Sequence, residues 1–156
     1  MEHKKPYARF FLMLGTSLVA MYAVMYLNVY AWDHVYFSLT RVYMALLMLV
    51  PMTLIMMGFM WSMYPDKRRN ALIMAGSLVL FGVVTFMVRT QMFVDDTLWM
   101  KAMIPHHSIA IMVSKRATIK DPEVRTLADS IISAQQREIG QMKRMLARLK
   151  RERTAR

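Results

Sequence analysis

The sequence predicts an all-α protein: three transmembrane helices, then an antiparallel helical hairpin completed to a four-helix bundle by oligomerisation. Two observations carry this. Hydrophobic residues make up 56% of the 156 positions although 21 are Lys or Arg, so the two classes must be segregated along the chain. Three charge-free apolar runs occupy residues 1–94, and beyond them the apolar positions recur at helical three- and four-residue steps.

The runs are Phe10 to Tyr30, Val42 to Tyr64 and Ala71 to Val88, each near the roughly 20 residues with which a helix crosses a hydrocarbon layer about 30 Å thick. Tyr7, Tyr30, Trp32, Trp61 and Tyr64 stand near their ends, where amphipathic rings anchor at the interface. Lys4, Lys5 and Arg9 before the first run give it the look of a signal peptide. Its length and bulky end, with Tyr30 and Trp32 where a small-residue cleavage site would stand, favour a retained anchor.

Orientation follows from the short segments. Lys4, Lys5 and Arg9, together with "PDKRRN" between the second and third runs, outweigh "AWDHVYFSLTR" between the first and second. The positive-inside rule then puts the amino terminus in the cytoplasm and the tail outside. The basic ending "KRMLARLKRERTAR" runs against this, but charges so far from a span influence orientation weakly. The chain divides at this level into a membrane region, 1–94, and an exported hairpin with a basic tail, 95–156. It has no Cys, which suits an exported domain that avoids disulfide chemistry.

No Gly or Pro interrupts Val83 to Ile104, so the third membrane helix is expected to run into the tail without a joint, Arg89 snorkelling at the surface. The first tail helix would include Asp95 to about Ala117. Asp121 as N-cap, Pro122 at the first helical position and Glu123 near the positive dipole end start a second helix. Leu127, Ile131, Gln135, Glu138, Met142, Met145 and Leu149 mark one face of it up to about Lys150. A lone hairpin cannot enclose its apolar faces, so pairing with a second copy is expected.

The chemistry gathers in "WMKAMIPHHSIAIM". Asp96, Met100, Met103 and His107 are four, three and four residues apart and stack on one helix face, with His106 at its edge. Closing the hairpin about its turn sets Met103 and His107 level with Gln135 and Ile131, and Met100 level with Glu138 and Met142. Thioether sulfur with imidazole nitrogen suits a soft ion: copper(I) first, with silver as a mimic. Zinc has little use for Met, and calcium and magnesium want oxygen ligands. The plain alternative is that Met at helical spacing fills a core. Pro105 removes a backbone donor and leaves the Lys101 carbonyl without its usual partner, a bend that could aim both imidazoles inward or simply serve packing.

"MIPHHSIAIM" followed by "DPEVRTLADSIISAQQREIGQMKRML" resembles the bacterial domain-of-unknown-function-305 family of the ferritin-like superfamily. Met103, Ile104, His106, His107, Ala110, Met112, Pro122, Glu123, Leu127, Ala128, Ile132, Gln136, Glu138, Ile139 and Met142 carry the likeness, over roughly the last 65 residues. It implies a periplasmic copper-binding or copper-tolerance role at a bacterial inner membrane, with copper-handling proteins as partners. Met103, His106, His107 and Met142 become the implied ligands, with Met100, Met112, Met145 and Glu138 around them. Longer family members often carry two such hairpins; a single one here strengthens the homo-oligomer expectation.

Catalysis is not expected. The di-iron chemistry of ferritin-like bundles needs Glu-x-x-His pairs, and neither these, a His-Glu-x-x-His motif nor a glycine-rich phosphate loop occurs. The expected function is copper(I) buffering, tolerance or handover at the bilayer. The rivals are a structural or partner-binding membrane subunit and a small soft-metal transporter using Met44, Met48, Met52, Met56 and Met60, which repeat every four residues, with Met21 and Met25. His34 in the outer loop reads as an interface residue or a surface metal trap, and Met1, Glu2 and His3 as an incidental divalent-copper site. The basic tail, Lys143 to Arg156, alternates charge with Met145, Leu146 and Leu149, as a helix against anionic headgroups would, or a solvated end. No nucleic acid is expected.

Overall fold

A computed structural model describes residues 5–155. Among them there are five α-helices and no strand: α1 Lys5–Val24, α2 Leu39–Phe59, α3 Lys67–Thr90, α4 Asp96–Arg116 and α5 Pro122–Thr154, with a 3-10 turn at Trp32–His34. The stretch Met1 to His3 lies outside the described residues.

Pro6–Val24, Leu39–Phe59 and Lys67–Thr90 are long and apolar enough to cross a membrane. Many of their large side chains point outward: Leu12, Val19, Leu72, Val79 and Phe86 are each at least 60% exposed. Exposed apolar area on that scale is costly in water and ordinary in lipid. The first helix ends at Val24, short of the Tyr30 expected from hydropathy.

The chain forms two compact units, Met1–Met25 with Thr40–Phe93, and Tyr26–Leu39 with Val94–Arg156. In the first, Tyr7, Phe10, Leu14, Met57 and Tyr64 form a buried cluster with Ile73 and Met74 packed against it. Tyr7 donates its hydroxyl to buried Asn70 Oδ1 at 2.8 Å, and Asn70 Nδ2 donates to the Tyr64 carbonyl at 3.3 Å. Asp66 caps α3 by accepting from the Arg69 N–H.

The expected unbroken helix from α3 into α4 is corrected. α3 stops at Thr90, and Gln91 and Phe93 take left-handed backbone angles, φ 50° and 64°. That conformation is strained for residues with a Cβ, by about 1–2 kcal/mol each. Tertiary partners hold it: Tyr43 donates to the Met92 carbonyl at 2.7 Å, and Thr40 donates to Gln91 Oε1 at 3.0 Å. Asp95 then accepts from the Leu98 N–H and opens α4 as an independent helix.

In the second unit α4 and α5 form the antiparallel hairpin. Asp121 accepts from the Glu123 and Val124 N–H groups and Pro122 stands in the first turn of α5, as the sequence signals. The helix runs to Thr154, a turn beyond the expected end near Lys150. Pro105 is buried inside an uninterrupted α4. The hairpin core is Met100, Ile104, Ile111, Ile139 and Met142, with Tyr36, Met103, Ile132, Leu146 and Leu149 packed against it.

Two expectations about this hairpin need correction. The inward face of α5 is Ala128, Ile132, Ile139, Met142, Leu146 and Leu149, whereas Leu127 is 59% exposed and Met145 39%. Met142 and Leu149 hold their expected inward places, whereas Ala128, Ile132, Ile139 and Leu146 replace the Leu127, Ile131, Glu138 and Met145 read by periodicity, a shift of one residue at those turns. Nor is the hairpin alone. The connection between α1 and α2 packs on it through Tyr36, and the Tyr30 N–H donates to buried Ser108 Oγ at 2.7 Å. Lys143 pairs with Asp33 and Lys115 donates to the Tyr30 hydroxyl at 2.9 Å.

Candidate metal centre

His107 stands on the seam of the hairpin, its side chain 16% exposed, with Nε2 at 2.7 Å from Glu138 Oε2. A carboxylate only accepts, so in the neutral ring Nε2 carries the proton and Nδ1 keeps its lone pair. That Nδ1 is buried and has no hydrogen-bond partner. Buried polar atoms are nearly always satisfied, so an orphaned imidazole nitrogen calls for a partner.

The sulfur donors lie in the adjoining core. Met100 and Met142 are buried in the cluster and Met103 packs against it, one turn before His107 on the same face of α4. Met145 lies at the rim, where it shares a groove with Met100, Asp96 and Trp99. Met112 is half-buried and stands outside the cluster.

Of the two readings of Pro105, the one that aims both imidazoles inward fails at His106, which keeps the edge position read from its spacing. It is exposed, its ring 6.1 Å from that of His107 and inclined by 64°. Neighbours on a helix are about 100° apart, so one face cannot present both. The expected register also shifts: His107 meets Glu138, seven residues past Ile131. Side chains lean toward the amino terminus of their own helix, so in an antiparallel pair His107 leans away from the turn and Glu138 toward it.

Among the described residues no three His, Asp or Glu side chains gather closely enough to hold a metal ion. The soft side chains beside His107 are thioethers. The donor set of one imidazole and several Met sulfurs fits copper(I) and does not fit the carboxylate-rich sites of hard ions.

His34 takes the interface role. It is 12% exposed, and its Nδ1 lies 2.9 Å from Ser108 Oγ. With the Tyr30 N–H donating to that oxygen, the Ser108 hydroxyl proton is free for Nδ1 of a neutral ring. Burial first, then the charge of Lys143, lowers the His34 pKa against the opposing pull of Asp33. The Lys143 ammonium likewise holds the Asp33 carboxyl below its ordinary value.

Ser108 and the aromatic loop escaped the sequence reading. The available signal was a connection dense in Tyr26, Tyr30, Trp32, Tyr36 and Phe37, more rings than two interfacial anchors require. Along α2 the Met repeat does not keep one environment: Met44 and Met48 are 43% and 48% exposed, while Met56 and Met60 pack against the cluster around Met57.

The family model described as "Domain of unknown function (DUF305)" matches residues 88–155, from the last turn of α3 through the joint and the whole hairpin. An uncharacterized protein of Acanthamoeba polyphaga mimivirus is 34% identical over 138 residues, covering 86% of this chain and 89% of the relative. That coverage necessarily includes much of the apolar first half. No solved structure matches.

Proposed function

Because the chain belongs to the DUF305 family, with its hairpin carrying a thioether and imidazole donor set, we propose that it is a membrane-anchored copper(I)-binding protein serving buffering, tolerance or handover. The observation that carries this reading is the buried, unpartnered Nδ1 of His107. Glu138 on Nε2 fixes the tautomer that leaves this lone pair available, the carboxylate–histidine arrangement that orients metal-binding imidazoles. His107, Met103 and Met142 are the central ligands, Met100 an adjoining one, and Glu138 a positioning residue. Met145, Met112 and His106 stand outside this set as surface sites for capture or release.

The protein would sit in a bacterial inner membrane with its amino terminus cytoplasmic and the hairpin periplasmic. The unit joining Tyr26–Leu39 to Val94–Arg156 supports the three-crossing topology, which brings both segments out on one side; the placement of that side outside rests on the positive-inside rule. Oligomerisation would complete a ferritin-like four-helix bundle.

The test is anaerobic titration of the purified chain with copper(I) against a competing chelator. Replacing His106 and His107 together by Ala should abolish tight binding, and His107→Ala alone should do most of the damage. Unchanged affinity in the double variant overturns the assignment.

A structural or partner-binding subunit is the second reading. It is favoured by the solvent-facing Val124 and Leu127 on α5, 49% and 59% exposed. Leu127→Asp that dissociates an oligomer while leaving copper affinity intact would support it.

A further inference from the structure

Where the free ends of α4 and α5 meet, the second unit contains a groove of ≈ 690 Å³. Its floor is apolar, formed by Tyr36, Leu146, Ala147 and Leu149, and its rim carries Lys101, Lys143, Lys150 and Arg153. Among the described residues no carboxylate lines it. Lys143 is engaged by Asp33, and Arg153 reaches Asp95 and Thr97 only at 3.5 and 3.4 Å. Among the described residues the side-chain ammonium groups of Lys101 and Lys150 have neither a hydrogen bond nor an ion pair, Lys150 being engaged only through its backbone carbonyl.

Cations left without counter-ions over an apolar floor select an amphipathic anion. A small soluble anion would leave the leucines uncovered, and a neutral apolar ligand would leave the ammonium groups unanswered. Thr97, at the groove's edge, follows the end of α3 at Thr90 by seven residues, a length of chain that reaches about 25 Å at full extension. Resting on the reading that α3 crosses a bilayer, the groove is therefore held near the lipid surface, where basic segments meet anionic headgroups.

We propose that this groove binds an anionic phospholipid, its phosphate between Lys101 and Lys150 and the upper part of an acyl chain along Leu146 and Leu149. The occupant locks the open end of the hairpin to the bilayer surface, at the end of the core that holds Met100.

The experiment uses the full chain in non-ionic detergent, with native mass spectrometry reading bound ligand. The probes are dihexanoyl phosphatidylglycerol, dihexanoyl phosphatidylcholine and inorganic phosphate. The glycerol lipid should bind, the choline lipid at least tenfold more weakly, and phosphate should not displace the first. Lys101→Glu with Lys150→Glu should weaken phosphatidylglycerol binding at least tenfold, and the charge-matched Lys120→Glu with Arg144→Glu should leave it unchanged; Lys101→Gln with Lys150→Gln repeats the test if charge reversal prevents folding.

Equal loss in the remote pair, equal binding of the choline lipid, or displacement by phosphate each overturns the proposal. Extraction of cell membranes with alkaline carbonate separates the premise from the inference: release of the chain refutes the membrane reading, whereas a retained chain without lipid selectivity refutes only the groove.

Discussion

His107 and Glu138 close the hairpin across its seam at 2.7 Å, and the contact leaves the other ring nitrogen buried with no partner. Glu138 is itself 51% exposed, so as a surface ion pair the contact would contribute little to stability. Its consequence is positional: it fixes which nitrogen bears the proton and how the ring is turned.

Glu138→Gln should therefore lower copper(I) affinity by about 10- to 100-fold, the range for losing an orienting carboxylate, with a small change in stability. Chelator competition measures the first and chemical denaturation in detergent the second. Nitrogen NMR of the metal-free ring should show the Nε2-protonated tautomer in the parent and a mixture in the variant.

His34 supplies a pH dependence. Its pKa is lowered in the folded chain by burial and by Lys143, with Asp33 opposing and Ser108 bonded to the ring. The unfolded chain therefore takes up a proton first as pH falls. The contribution from His34 is whole above the ordinary histidine value of about 6.5 and declines as pH drops from there through the folded pKa. Amide protection factors in residues 26–39, corrected for the intrinsic pH dependence of exchange, should fall as pH is lowered from 7 to 5 in the parent, and His34→Gln should flatten that response.

Ser108→Ala removes the acceptor of the Tyr30 N–H and the partner of His34 at a fully buried position. Leaving such a donor unsatisfied costs about 1–3 kcal/mol. Protection of the Tyr30 amide and of the loop around it should fall accordingly, while helix content holds.

The two faces of α5 make a paired test. Ile139→Ala empties a position that is 4% exposed and should cost about 2–5 kcal/mol. Leu127→Ala, at 59% exposure, should stay within about 0.5 kcal/mol in the monomer. Equal effects would restore the stripe read from periodicity.

The sequence by itself determined the helices. Long charge-free runs, the Asp121–Pro122–Glu123 start and the three- and four-residue spacing are local signals, because span length, capping and helical period depend only on near neighbours. It also set the family likeness and the soft-donor character of α4, since residue types decide which ions suit them.

Only the tertiary structure decided the rest. Gln91 and Phe93 adopt a glycine-like conformation because Tyr43 and Thr40, some 50 residues earlier, hold the joint. The separation of His107 from His106, the one-residue shift at several turns of the α5 face and the docking of the Tyr26–Leu39 loop arise in the same way. Each depends on which side chains meet across elements distant in the chain, and helical period leaves that rotation and register open.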